Sequence, residues 1–325
     1  GRNALRTSGR SKAMRTTPAS TARWYVMSVK SNPSTRFHAA GSKIAETDAS
    51  LAIAPCWPIR YGAPMPHADV NGQRIYFADT GGDGAPVIFS HGFLMDHEMF
   101  APQVDALRGR WRVITWDERG FGATEYDGEP FTYWDSAADC LGLLDHLGIE
   151  QAVLGGMSQG GFLSLRAALT APERVSALIL LDTQAGVEDP ATVPAYEAMR
   201  DTWEAAGPVD ELVEAIAQII IADPDENPRW TAKWQARGND YITQPFATLV
   251  GRDDITDRLG EITCPALVVH GTEDTAISME RAEELAAGLP GCDGVVRVGG
   301  AHAANLTNPG PVNAAIVEFL DALGG

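Results

Sequence analysis

The sequence predicts an α/β fold: a mostly parallel sheet flanked by helices, with a helical segment inserted between two of its strands. Three observations predict it. Short apolar runs without polar alternation, such as ALILL at 177–181 and ALVVH at 266–270, read as strands buried on both faces. Segments of helical spacing separate these runs, as consecutive strand–helix units require. From Thr183 to Glu261, about 80 residues carry helical patterns and no strand pattern.

The elements follow in order. Residues 69–78 (DVNGQRIYFA) read as a hairpin around Asn71-Gly72, a pair tolerant of left-handed backbone. VIFS at 87–90 and VITW at 113–116 are buried strands. Residues 134–147 place Ala137, Cys140, Leu141, Leu144 and Leu147 on one helical face. AVL at 152–154 is the next strand, and 162–170 begins the next helix, stopped at Ala171-Pro172. Strands at 177–181, 266–270 and 295–298 complete the sheet, and a helix over 311–323 closes the chain. Within the insertion, helices are expected at 196–206, 209–222 and 227–238. Its large side chains (Tyr196, Met199, Trp203, Trp230, Trp234, Tyr241 and Phe246) either form its own core or line an apolar pocket beneath it.

The first 66 residues differ from the rest. They hold ten Lys+Arg against Glu46 and Asp48, a balance of +8, which leaves −26 on the remaining 259. Rich in Ser, Thr, Arg and Ala and without a sustained period, they read as a disordered basic leader or a non-native extension. Three origins compete: an organellar transit peptide, a basic arm, or translated upstream sequence, with Met65 just before the first strand. The apolar core of a secretory signal is missing. The core is expected at 67–183 and 262–325, and the insertion at 184–261.

A body this acidic repels phosphate backbones and anionic lipid heads, which argues against nucleic-acid or membrane-surface binding. No apolar run approaches the roughly 18 residues of a membrane span. Cys56, Cys140, Cys264 and Cys292 are scattered without metal-ligand spacing and read as separate thiols. With the acidic composition they suit a reducing cytoplasm. Monomer and homodimer are both left open.

Gly156-Met157-Ser158-Gln159-Gly160 follows the strand at 152–154 and opens a helix, the context that G-x-S-x-G requires. The serine then sits in a strained turn, where a flanking Cβ would strike neighbouring backbone. The N–H of Gln159 falls at the positive end of a helix, where an oxyanion can form.

A serine hydroxyl needs a base, itself oriented by an acid. Asp274 lies in HGTED at 270–274, and His302 in GGAH at 299–302, each directly after a strand. Ser158, Asp274 and His302 thus share one edge of a parallel sheet, where active sites of such sheets form. Singly, a loop Asp is usually a cap and a loop His usually solvated. Glu273 and Asp182 are the alternative acids. The second oxyanion donor is expected from Ser90-His91-Gly92-Phe93, as the N–H of Phe93, with His91 bracing the loop rather than reacting. DERGFG at 117–122 reads as a tight turn held by an Arg119–Asp117 pair. Its spacing is not G-x-G-x-x-G, so it is no dinucleotide site.

HGF at 91–93, DERGFG at 117–122, GMSQGG at 156–161, APERV at 171–175, GTED at 271–274 and GGAH at 299–302 together resemble the α/β-hydrolase superfamily. The resemblance spans roughly residues 67–323 and is strongest to small bacterial esterases and 3-oxoadipate enol-lactonases. It implies an α/β-hydrolase fold with a helical cap over 184–261. It implies Ser158 as nucleophile, His302 as base, Asp274 as acid, and the N–H groups of Phe93 and Gln159 as oxyanion hole. The expected reaction is acyl transfer from a small-molecule ester or lactone, with no metal or organic cofactor. Met157, Trp203, Trp230, Trp234 and Phe246 are expected to line the substrate pocket. Serine excludes the branches with an aspartate nucleophile, namely haloalkane dehalogenases and most epoxide hydrolases. Lactone opening, C–C hydrolysis and peracid formation use the same triad, and a non-catalytic receptor could share the fold. Gln159 stands where many relatives have Met, and GGAH replaces the commoner G-x-G-H.

Overall fold

The computed structural model describes residues 66–238 and 242–324. The expectations for residues 1–65, with Cys56 among them, and for Tyr241 lie outside the described residues. The chain enters through a hairpin of β1 (His67–Val70) and β2 (Gln73–Asp79). Asn71 (φ 48°) and Gly72 (φ 78°) both take left-handed backbone, as a two-residue turn matching strand twist requires.

β3 (Pro86–Ser90), α1 (Ala101–Leu107), β4 (Arg112–Trp116), α2 (Tyr133–His146), β5 (Ala152–Met157), α3 (Gln159–Thr170) and β6 (Val175–Leu181) then alternate. Four helices follow without a strand: α4 (Val193–Ala206), α5 (Asp210–Ile220), α6 (Asn227–Arg237) and α7 (Thr243–Val250). β7 (Ala266–Gly271), α8 (Met279–Gly288), β8 (Val295–Val298), α9 (Ala304–Thr307) and α10 (Pro309–Leu323) complete the order.

The eight strands form one sheet in the order β1-β2-β4-β3-β5-β6-β7-β8. Only β1–β2 and β2–β4 are antiparallel; the remaining five pairings are parallel. Every residue of β5 and β7 is buried, which explains why both lack polar alternation, His270 being the one polar side chain. Because β3 and β5 to β8 run the same way, the loops after β3, β5, β7 and β8 emerge along one edge. Among the described residues no helix is long and apolar enough to cross a membrane, and Cys140, Cys264 and Cys292 are unpaired thiols.

Several elements differ from expectation. β5 runs on through Gly155 and Gly156 to Met157, and α3 starts at Gln159, so Ser158 alone separates strand from helix. Glycines are weak strand formers by propensity, but here they fit where Phe89 and the Gly160 backbone leave no space for a Cβ. α7 escaped the pattern because Pro245 interrupts it. That proline sits in the first helical turn, where its missing N–H costs nothing. α8 buries only Ala282, Leu285 and Ala286, too narrow a stripe to stand out among its charges.

The loop after β4 corrects a second expectation. Arg119 pairs with Asp139 of α2, Nε to Oδ2 and Nη2 to Oδ1 both at 2.6 Å, and not with Asp117. Gly120 (φ 81°) and Gly122 (φ 53°) fold the chain over the Asp117 carboxylate, and a Cβ at Gly122 would lie 2.1 Å from Asp117 Oδ2. Asp117 instead accepts from the His97 N–H at 2.7 Å, His97 Nδ1 at 2.8 Å and the Ala123 N–H at 2.8 Å.

Candidate active site

Ser158 occupies the single-residue turn between β5 and α3 with φ 52°, a left-handed backbone that a residue with a Cβ adopts only under strain. Three glycines let neighbouring chain close around it. A Cβ on Gly156 would sit 2.1 Å from the Gly160 carbonyl, one on Gly160 2.0 Å from the Ser90 oxygen, and one on Gly161 2.4 Å from Thr183 Oγ1. The Ser158 N–H donates to the Leu181 carbonyl at 2.9 Å, and the Thr183 hydroxyl donates to the Ser158 carbonyl at 2.7 Å. The turn is therefore held from the end of β6 and from Thr183 just beyond it.

His302, buried after β8, places Nδ1 2.8 Å from Asp274 Oδ2. The other Asp274 oxygen accepts the N–H groups of Ala276 and Ile277 at 2.8 and 3.0 Å. Glu273 is exposed. Asp182 is buried at the end of β6 and accepts the Gly271 N–H at 2.7 Å. Of the three acids, Asp274 is the one that meets the imidazole.

The electrostatics agree with that pairing. Burial opposes the charged form of His302, but the Asp274 carboxylate and its hydrogen bond outweigh it and raise the imidazole above its ordinary value. Burial likewise works against the Asp274 carboxylate, and His302 with the Ile277 N–H holds it below its usual range. Burial, reinforced by the charge of Asp274, pushes the Asp182 carboxyl well up. Asp182, His270 and Asp274 cluster closely enough to suggest a metal, as do Asp96, His97 and Asp117. The carboxylates of both clusters are engaged by backbone N–H groups, His rings or Lys233, while the buried His270 Nδ1 has no hydrogen-bond partner among the described residues.

His91 spends both ring nitrogens on its own loop. Nδ1 lies 2.8 Å from the Gly92 carbonyl, and Nε2 accepts the Glu118 N–H at 3.0 Å. Burial lowers its pKa, so it stays neutral and braces the loop. The Phe93 N–H finds no acceptor among the described residues, and the Gln159 N–H opens α3. The Gln159 side chain is tied down behind the turn. It accepts from Tyr133 Oη at 3.2 Å and donates to Glu118 Oε2 at 3.2 Å.

Ser158 and His302 line one cavity, together with Phe93, Met157 and Phe246. The core adds Leu94, Phe162, Ala276 and Ile277, and the four-helix insertion covers them with Tyr196 and Met199 of α4 and Ile216, Ile219 and Ile220 of α5. Met157 and Phe246 share the cavity of Ser158, whereas Trp203, Trp230 and Trp234 do not line it. These three line a second cavity over Leu94–Glu98 and Asp117. Aromatic content signals burial but not which side of a helical layer a ring faces. The periodic face Ile216, Ile219, Ile220 was the overlooked signal. One charged pair was also missed: Glu188, on the cavity wall, and buried Arg252 meet at 2.7 Å.

A sequence profile described as the alpha/beta hydrolase fold matches residues 85–213. A protein of Rhizobium rhizogenes named "Putative carbamate hydrolase RutD" is 31% identical over 252 residues, covering 74% of this chain and 94% of that protein. The solved structure of a thermophilic esterase from Thermogutta terrifontis superposes with a TM-score of 0.73 at 27% identity, over 80% of this chain and 99% of that one. The enol-lactonase from Burkholderia xenovorans superposes with a TM-score of 0.71 at 26% identity, over 79% and 100%.

Proposed function

The chain belongs to the α/β-hydrolase family, and from that membership we propose that it hydrolyses carboxylic esters of small to medium size through a Ser158-His302-Asp274 triad. One observation carries the reading. The serine of a strained strand-to-helix turn and an imidazole paired to a buried carboxylate at 2.8 Å open into the same, mostly apolar cavity. With Nδ1 committed to Asp274, Nε2 of His302 is left to take the Ser158 proton.

The alkoxide then attacks the ester carbonyl, and the N–H groups of Phe93 and Gln159 receive the developing oxyanion. Each such donor supplies about 2.7–4 kcal/mol of transition-state stabilisation. His302 returns the proton to the leaving alcohol, and water repeats the sequence on the acyl-enzyme. The inserted helices act as a cap that shapes the acyl or alcohol site. A lactone presents the same carbonyl in a ring, and the likeness to an enol-lactonase makes ring opening the second reading.

Hydrolysis of p-nitrophenyl esters from acetate to decanoate, by wild type and Ser158→Ala, tests this. Serine-dependent turnover is expected, with up to about 10⁶-fold lost in the variant. Full activity in Ser158→Ala would overturn the mechanism, and silence on every ester would move the reading to lactones.

A further inference from the structure

The loop that carries Phe93 makes a reverse turn, closed by the Met95 N–H donating to the Gly92 carbonyl at 3.0 Å. Its third position is Leu94, with φ 62°. Turns of this kind favour Gly or Asn there, because a side chain strains left-handed backbone. Something outside the loop must hold Leu94 in place.

That contact comes from the four-helix insertion. The buried Trp234 indole on α6 donates from Nε1 to the Leu94 carbonyl at 2.7 Å, across 140 positions of sequence. One residue earlier on α6, Lys233 Nζ grips the same segment through Asp96 Oδ2 at 2.6 Å and Glu98 Oε2 at 2.8 Å. Leu94 lines both the Ser158 cavity and the second cavity, so it is the partition between them. The peptide that precedes Leu94 by one residue bears the Phe93 N–H, and rotating the Leu94 carbonyl reorients that turn as a unit.

We infer that Trp234 is a positioning residue for the oxyanion hole: by holding the Leu94 carbonyl it keeps the strained turn that aims the Phe93 N–H at the reacting oxygen. The seating of the insertion and the stabilisation of the transition state are thereby coupled. This inference rests on the serine-hydrolase reading and on Phe93 as an oxyanion donor. A misplacement of the donor by an ångström or less removes part of what deletion of the donor removes.

The test is a cycle of Trp234→Phe, Leu94→Gly and the double variant, assayed on p-nitrophenyl esters and for binding of an arylboronic acid. Trp234→Phe keeps the ring and loses the N–H. It should lower kcat roughly 10-fold or more while KM changes little, and weaken the boronic acid in parallel. It should also cost more than Trp230→Phe, whose indole N–H has no hydrogen-bond partner among the described residues.

Glycine tolerates the turn without a clamp, so the loss caused by Trp234→Phe should shrink in the Leu94→Gly background. An unchanged kcat, a loss confined to KM, or an equal loss in both backgrounds would overturn the inference. Should Trp234→Phe not fold, the double variant decides. It folds and turns over if the indole serves the turn, and fails alike if the indole serves only packing. Ser158→Ala separates the two levels: turnover by that variant would sink the triad reading itself, whereas its silence beside an unaffected Trp234→Phe sinks only the positioning role.

Discussion

The carboxylate of Glu188 meets the guanidinium of Arg252 at 2.7 Å on the wall of the Ser158 cavity, with both side chains buried. Arg252 also donates to the Gly186 and Leu249 carbonyls and lies 4.3 Å over the Phe162 ring. It thus ties the segment after β6 to the end of α7 and to α3, the helix that Ser158 opens. Removing one partner strands the other charge away from water. Glu188→Leu should therefore lower stability by about 3–5 kcal/mol, read from denaturant unfolding, and Glu188→Leu/Arg252→Met should recover most of it.

The pH–rate profile follows from His302. In the proposed mechanism His302 must be neutral to act as base, and Asp274 holds its imidazole above the ordinary value of 6.5. The acid limb of kcat/KM should rise with pH through an apparent pKa above 6.5. Asp274→Asn removes the charge that favours imidazolium, so the limb should move to lower pH as the rate falls by about 10⁴. A limb at or below 6.5 in wild type would contradict the pairing.

Gly160→Ala should cost far more than an ordinary surface Gly→Ala change. Its Cβ would lie 2.0 Å from the Ser90 backbone oxygen, where no side-chain rotation relieves the clash. β3 and α3 would have to part, for about 1–3 kcal/mol or more of stability and most of the hydrolase activity. Thermal melting and turnover of the variant measure both.

Stability should also depend on pH through His97 and Asp117. Burial opposes the charge on each, yet their hydrogen bond wins: His97 is raised and Asp117 lowered. The raised histidine contributes fully below its unfolded value of about 6.5 and loses that contribution as pH rises through its folded value. The lowered aspartate contributes above about 3.9 and loses it as pH falls through its folded value. The stability difference between wild type and His97→Gln should therefore shrink from pH 6 to pH 9. A constant difference over that range would show that the pair does not titrate with folding.

Ser158, Asp274 and His302 were legible as candidates because each sits within a few residues of an apolar strand, and strand ends are readable from local pattern. So was the crowding around Ser158, since glycine flanks advertise it. The partner of Arg119 is not legible, because Asp117 is near in sequence while Asp139 arrives from a helix 20 residues on. Trp203, Trp230 and Trp234 line a cavity other than that of Ser158 for a related reason: the amphipathic pattern of α4 and α6 marks a buried side, but two cavities lie beneath the insertion.

The alternation of strands and helices, the long insertion before β7 and the strained serine turn are all written in short windows of the sequence, as consequences of side-chain period and glycine sterics. The assembled layers alone show that Asp182 stays out of reach of His302, that the Ile face of α5 lines the cavity of Ser158, and that Trp234 reaches Leu94. Those outcomes depend on the relative placement of segments 28 to 140 residues apart, which packing of the assembled layers sets and no local pattern encodes.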